Sequence, residues 1–509
     1  MGPIVEMCGI TKRFSSTLVN DQVDLSCYPG EILCLLGENG AGKTTLMKIL
    51  YGLYKQDTGT ILYKGHPVTI TGPRKAISLG IQMVHQHFML VPTLSVADNI
   101  VLGKEPVHKG LYDKKGAVRI AQELSERYGL KVPSDKLVKD LSVGEQQRTE
   151  IIKALYQGAE VLILDEPTAV LTPQEVEELF AVMLQLKADG KSAIIITHKL
   201  KETMSISDRV CVLRNGRMAG ECKTSETNID QLSEMMVGRR VYPPKKSRIN
   251  SDELVIDLQH VTMKSKEKST DNAAIEMLKD IHFSVYKHEV VGIAGVEGNG
   301  QKEVINMLSG LMPSWEGEIL YNGRSIKGWS TARLLEEGIS VIYADRHKYS
   351  VALDQKVPEN FLLGSQDGDE FCSRKGILRW KKIPRTSEEM MRTFDVNPLN
   401  LNMKMQDFSG GNQQKFVVGR EIRRNPRLLV AAHPTRGVDI SATEFIHKQL
   451  LEQKQQGAGV LVISSDLDEL MALSDRIAVI YNGRIVAFDE TDKFNAFSLG
   501  KWMGGGEDA

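Results

Sequence analysis

The segment Gly37-Glu38-Asn39-Gly40-Ala41-Gly42-Lys43-Thr44-Thr45 lies between an apolar run, Ile32 to Leu36, and an amphipathic stretch beginning at Leu46. That order confines this part of the chain to a strand, a phosphate-cradling loop and a helix. The glycines let successive backbone N–H groups turn toward one anion, Lys43 sets a point charge against the β- and γ-phosphates of a nucleoside triphosphate, and the Thr44 hydroxyl is a ligand for Mg²⁺. A helix starting there adds the positive end of its dipole to the same spot. Leu46, Ile49, Leu50 and Leu53 recur at i, i+3, i+4 and i+7, which predicts a helix that buries one face as far as Leu53.

The chain then repeats itself. Gly295-Val296-Glu297-Gly298-Asn299-Gly300-Gln301 restores the glycine frame 258 residues later (295 − 37), behind the apolar run Val290 to Ala294 and ahead of Val304, Met307, Leu308 and Leu311. Leu141-Ser142-Val143-Gly144-Glu145-Gln146-Gln147 returns as Phe408-Ser409-Gly410-Gly411-Asn412-Gln413-Gln414, and Asn215-Gly216-Arg217 as Asn482-Gly483-Arg484, both at an offset of 267. The second copy thus holds nine extra residues (267 − 258) between its two segments. Two homologous α/β domains are expected, 1–238 and 254–509, joined by a linker, 239–253, whose prolines and charges disfavour a packed element. The polar stretch Lys264 to Asn272 is expected to be a loop, and residues 504–509 a frayed tail.

Composition narrows the function. A formal net charge of −1 gives no electrostatic reason to expect a nucleic-acid partner. Six cysteines without a C-x-x-C pair read as unpaired thiols in a reducing compartment. No apolar run reaches membrane-spanning length and the N-terminus lacks a secretory h-region, so work at a membrane requires docking onto other subunits.

The remaining chemistry of the first copy sits at predicted strand ends. Val161 to Leu164 leads into Asp165, placed to hold Mg²⁺ through its water shell, and Glu166, placed to orient and deprotonate an attacking water. Ala193 to Thr197 ends in His198, which can contact the γ-phosphate, and Ile81 to His85 ends in Gln86, which can bridge Mg²⁺ and the attacking water.

Together these residues resemble the ATPase subunits of ABC transporters over nearly the whole chain. The resemblance implies two tandem P-loop NTPase domains, each a mixed β-sheet core with a helical subdomain, using ATP and Mg²⁺. It identifies Gly37 to Thr44 as the Walker A loop, Gln86 as the Q-loop, Ser142 and Ser409 as signature serines, Asp165 and Glu166 as Walker B, and His198 as the switch histidine. Phe14 falls where the family stacks an aromatic ring on adenine. The family closes two domains head to tail, so that the signature of one covers ATP on the Walker A loop of the other.

That pairing rule organises the defects. In the second copy Gln301 replaces Lys43, Lys302 replaces Thr44, Ala344 replaces Gln86, Ala432 replaces Asp165, His433 replaces Glu166 and Ser465 replaces His198. In the first copy Val143 and Glu145 spoil the signature instead. One composite site then combines Lys43, Thr44, Gln86, Asp165, Glu166 and His198 with Ser409, Gly410, Gly411, Asn412 and Asp439, while the other gathers every lesion.

Fused domains without membrane spans resemble importers of monosaccharides and nucleosides, and Asp165 to Glu175 and Ala431 to Gly437 look most like the nucleoside-type branch. Simple sugars and riboflavin are the alternative cargoes. Tyr343-Ala344-Asp345-Arg346 departs from the branch's usual Pro-Glu-Asp-Arg. The resemblance implies two multi-span permeases, an extracytoplasmic binding protein, and a peripheral place on the cytoplasmic face of the inner membrane. Val91 to Gly103 and Ala352 to Gly364 are the expected permease contacts, provided their apolar residues are exposed. The different-class alternative is a soluble tandem ABC ATPase acting on ribosomes or nucleic acid.

Overall fold

The apolar runs become strands buried from end to end: Ile32–Leu36, Val161–Asp165 and Ser192–Thr197 expose no residue. Continuous aliphatic sequence is what a parallel strand covered on both faces requires. A computed structural model describes the chain except residues 1, 16, 86–87, 169–170, 172, 241–246, 248, 250, 269–273, 313, 367, 374 and 506–509. It divides into two units, Met1–Val241 and Tyr242–Ala509. Gln86 therefore lies outside the described residues.

In the first unit six strands pair in the order Arg217–Lys223, Arg209–Arg214, Ile32–Leu36, Ser192–Thr197, Val161–Asp165, Ile81–Val84. Neighbours are parallel except for Arg217–Lys223, which returns antiparallel. Register sets Thr197 beside Leu36 and Ile196 beside Asp165, so these strands end together. Carboxyl ends of parallel strands are where open α/β sheets bind ligands, and the glycine loop, Glu166 and His198 all leave that edge. A four-stranded antiparallel sheet, Thr17–Cys27, Val5–Phe14, Thr58–Tyr63, His66–Val68, shares its core with the first: Met7, Ile10 and Leu25 pack with Leu33, Leu35, Ile163 and the helix residue Leu46.

The second unit repeats the plan. Its larger sheet runs Ile339–Ile342, Leu428–Ala432, Gly459–Ser464, Val290–Ala294, Arg476–Tyr481, Arg484–Glu490, again with one antiparallel edge strand. Each unit adds a group of helices between phosphate loop and signature: Val96–Val101 and Lys114–Arg127 in the first, Val357–Leu362 and Lys382–Thr393 in the second. The signature helices, Val143–Tyr156 and Gly410–Ile422, follow them.

Three expectations need correction. The helix after the first glycine loop is Lys43–Leu50, and Leu53 is 45 % exposed. Gly52, at φ +82°, closes that helix by donating to the Ile49 carbonyl at 3.0 Å, and the chain beyond it leaves the core. Gly310 ends Gln301–Leu308 in the same way and leaves Leu311 46 % exposed. Secondly, Lys264–Lys268 is not a loop but the end of the strand Leu254–Lys268, with Lys264 opposite Glu276. Lys264 is exposed and reaches Glu316 at 2.9 Å while the backbone pairs. Thirdly, Val96, Ala97, Ile100 and Val101 are buried, as are Val357, Phe361 and Leu362. The apolar side chains of the expected permease contacts serve the helical subdomains, and only Leu102 and Leu363 emerge as large exposed apolar groups. Within the expected linker 239–253, the described residues form no helix or strand.

A buried asparagine secures each of these segments. Asn99 Oδ1 accepts from Val91 N at 2.7 Å, and its Nδ2 donates to the Val91 and Ser95 carbonyls at 3.1 and 3.0 Å. Asn360 binds Ala352 and Lys356 in the same pattern. Asn99→Ala is expected to destabilise the protein by about 1–3 kcal/mol, the cost of leaving such partners unpaired. A lower midpoint in urea unfolding of the full chain checks this.

Candidate active site

The glycine loop takes a shape that side chains forbid. A Cβ on Gly37 would sit 2.2 Å from the Leu213 carbonyl oxygen, and one on Gly42, at φ +100°, 2.6 Å from the Val19 carbonyl oxygen. Gly42 is the N-cap of Lys43–Leu50, so the first N–H groups of that helix have no partner within it. Lys43 is 5 % exposed and its Nζ donates to the Gly37 and Glu38 carbonyls at 2.7 and 2.9 Å. Burial lowers its pKa, against the opposing pull of Glu166, Asp165 and Glu38. The ammonium is thus held inside the loop that it serves, and Asn39, Gly40, Ala41 and Thr45 complete the frame.

Beside the loop, Thr44 Oγ1 donates to Asp165 Oδ1 at 3.1 Å. Burial raises the Asp165 carboxyl, with the Thr44 bond working against it. A hydroxyl and a carboxylate are hard oxygen ligands of the kind Mg²⁺ takes alongside phosphates and water. Among the described residues no cluster of three or more His, Cys, Asp or Glu forms a cage for a metal. One hydroxyl and one carboxylate side by side fit Mg²⁺ that arrives with a nucleotide.

Glu166 follows at φ +48°, a left-handed conformation that a carboxylate residue adopts only under constraint. Its N–H donates to the Ile196 carbonyl at 2.9 Å, and Oε1 lies 3.1 Å from His198 Nδ1. The bond to His198 holds the Glu166 carboxyl below the usual range in spite of burial. The two residues come from adjacent strand ends, 32 positions apart in sequence.

Phe14 ends the strand Val5–Phe14 and meets Tyr54 edge-on, the centroids 5.1 Å apart. Sequence reasoning missed Tyr54, which extends the exposed aromatic surface at Phe14; its signal was an aromatic just past the glycine-closed helix.

In the second unit the frame persists without the chemistry. Gln301 Nε2 donates to the Val296 carbonyl at 2.9 Å, a neutral substitute for the Lys43 bonds. His433 keeps the left-handed backbone of Glu166, at φ +43°, and burial followed by Arg436 lowers its pKa. With Ala432 and Lys302 in place of Asp165 and Thr44, this unit has no comparable oxygen pair for Mg²⁺.

The signatures differ in the opposite sense. Ser142 N donates to Glu145 Oε2 at 2.7 Å and Glu145 N to Ser142 Oγ at 3.3 Å, a reciprocal cap that occupies the serine, with Val143 43 % exposed beside it. A Cβ on Gly144 would touch the Glu175 carboxylate. In the second unit Asn412 Nδ2 donates to Ser409 Oγ at 2.9 Å, Asp439 caps Ile440–Gln455 beside Gly411, and Arg346 lies against Gly410. Ser409, Gly410, Gly411, Asn412 and Asp439 are thereby brought together. Arg346, half-buried and donating to the Gln413 side-chain oxygen at 3.2 Å and the Arg436 carbonyl at 3.3 Å, is a cation that sequence reasoning did not place here.

A phosphate loop of this form on such a sheet defines a P-loop nucleoside triphosphatase. The ABC transporter profile matches residues 20–169 and 278–436, once in each unit, and the chain belongs to that family as two fused ABC ATPase domains. It is 46 % identical over 503 residues to the guanosine import ATP-binding protein NupO of Bacillus subtilis (strain 168), covering 99 % of this chain and 97 % of that one. It is 42 % identical over 505 residues to the nucleoside import ATP-binding protein NupA of Lactococcus lactis subsp. cremoris (strain MG1363), covering 99 % and 98 %. The glucose import ATP-binding protein TsgD13 of Haloferax volcanii is also 42 % identical, over 539 residues, covering 100 % and 96 %. Among solved structures, one from the complex of archaeal ribosomal stalk protein aP1 with the ribosome recycling factor aABCE1 superposes with a TM-score of 0.60 at 18 % identity, covering 94 % of this chain and 89 % of that one. That likeness is one of fold.

Proposed function

We propose that this chain is the ATP-hydrolysing subunit of an importer for nucleosides, held at the cytoplasmic face of the membrane by two partner permeases that receive cargo from an extracytoplasmic binding protein. The observation that carries the reading is the assembly of Lys43, Thr44, Asp165, Glu166 and His198 at one sheet edge, in a chain so similar to nucleoside import ATPases along its length. The similarity to a glucose importer favours simple sugars as the second reading. Among the described residues no helix is long and apolar enough to cross a membrane, which fits a subunit that docks.

In this reading the first unit's Walker residues carry the hydrolytic chemistry, and Ser409, Gly410, Gly411, Asn412 and Asp439 are assigned as nucleotide contacts. The loop N–H groups and Lys43 bind the triphosphate, and Phe14 with Tyr54 receives the adenine. Thr44 and Asp165 would hold Mg²⁺, which draws charge from the phosphate oxygens when bound. Glu166, ionised and oriented by His198, takes a proton from the water that attacks the γ-phosphorus; the bond to the β-phosphate oxygen breaks, and ADP and phosphate leave. Gln86 is assigned to position that water. The two signatures differ locally, with Glu145 and Glu175 beside the first and Arg346 beside the second.

Deletion of the gene is expected to abolish uptake of a labelled nucleoside, restored by the intact gene but not by one carrying Glu166→Gln. Parallel assays with monosaccharides and riboflavin decide the cargo. Loss of sugar uptake alone would move the assignment to sugars.

A further inference from the structure

The helical part of the second unit carries a short hairpin that nucleotide chemistry does not use. Cys372 pairs with Leu378 in an antiparallel bridge, Gly376 N donates to the Ser373 carbonyl, and Ser373 N to the Ile377 carbonyl, both at 2.9 Å. Its root is fixed. Phe371 is buried and meets Phe361 edge-on at 5.5 Å, under the cations of Arg423 and Lys382. Glu370 accepts from Arg423 at 2.6 and 3.1 Å and pairs with Lys382 at 3.2 Å.

Beyond that root the apolar surface faces outward: Ile377 is 64 % and Trp380 55 % exposed. From Cys372 to Lys382 the sequence holds Arg374, Lys375, Arg379, Lys381 and Lys382 and no carboxylate, in a chain whose net charge is −1. Lys375, Arg379 and Lys381 are exposed around the two apolar side chains. In the first unit the matching hairpin, Val107–His108 with Leu111–Tyr112, also exposes Val107 and Leu111 but carries a single lysine, Lys109, at its turn.

Indole rings partition to the headgroup level of a bilayer, aliphatic groups just below it, and lysine and arginine are drawn to anionic lipid. A single-stranded nucleic acid would attract the same cations but would meet one aromatic ring beside an isoleucine, rather than a run of stacking faces. We propose that Ile377 and Trp380 of this hairpin enter the headgroup layer of an anionic phospholipid surface, with Lys375, Arg379 and Lys381 on the lipid phosphates, so that the second domain touches the membrane directly as well as through permeases. The proposal rests on the reading that the chain works at a membrane.

The test is flotation of the purified full chain with vesicles of phosphatidylcholine alone or containing phosphatidylglycerol. Binding is expected only to the anionic vesicles, weakening as salt screens the charges. Arg379→Glu with Lys381→Glu should reduce it about tenfold or more, and Trp380→Ser should reduce it as well, with ATP turnover unchanged. Equal binding to neutral vesicles, full retention in the variants, or tighter capture of single-stranded RNA would overturn the proposal. Absent vesicle binding alongside Glu166-dependent uptake would sink the hairpin contact alone. Vesicle binding without any uptake defect on deletion would sink the importer reading alone.

Discussion

Glu166→Gln is expected to lower ATP turnover by roughly 10²–10⁴, the scale of a lost general base. The substitution preserves shape, so the left-handed turn at this residue and its N–H bond to Ile196 should survive. What is removed is a carboxylate kept ionised by His198, 3.1 Å away. His433→Gln, the same change at the equivalent position of the second domain, should leave turnover nearly unchanged, because that unit has Gln301 where the first has Lys43 and Ala432 where the first has Asp165. Steady-state phosphate release for the two variants decides the matter. Equal losses would contradict a single hydrolytic site, and a large loss from His433→Gln alone would assign the chemistry to the wrong domain.

Lys43→Met is expected to reduce turnover by about 10²–10³, comparable to removing one preorganised donor from developing charge. Methionine fills much of the same volume, so the packing around a residue that is 5 % exposed should hold. The loss falls on the ammonium, whose burial leaves it little water to compete with a phosphate. Gln301→Met removes only an amide bond to Val296 and should alter turnover little. Nucleotide affinity measured with the same variants separates binding from catalysis. An undiminished rate in Lys43→Met would show that the loop N–H groups and the helix terminus suffice.

Most of the architecture was legible because buried parallel strands leave a coarse signature. Val161 to Leu164 and Ala193 to Ile196 are too uniformly apolar to be anything exposed, and the residues just past them are forced to the ligand-binding edge. The repeat made the second sheet readable from the first. What escaped was set by local backbone or by partners distant in sequence. Periodicity carried Leu53 and Leu311 into helices that Gly52 and Gly310 end. The polarity of the stretch from Lys264 suggested a loop, yet its backbone pairs as far as Lys268. Arg346 reaches Gly410 across 64 residues, a distance that no local pattern encodes.

The left-handed turn shared by Glu166 and His433 bears on how the two domains relate if, as proposed, only the first hydrolyses ATP. The strand end, the glycine frame and the hydrogen bond that sets the turn are all kept where the carboxylate has gone. On the proposed single-site reading, silence in the second domain is written in side chains alone. A return of catalysis would need several replacements at once, at Gln301, Lys302, Ala432 and His433, and no rebuilding of the chain path. Any one of them made singly would give a well-placed group without its partners.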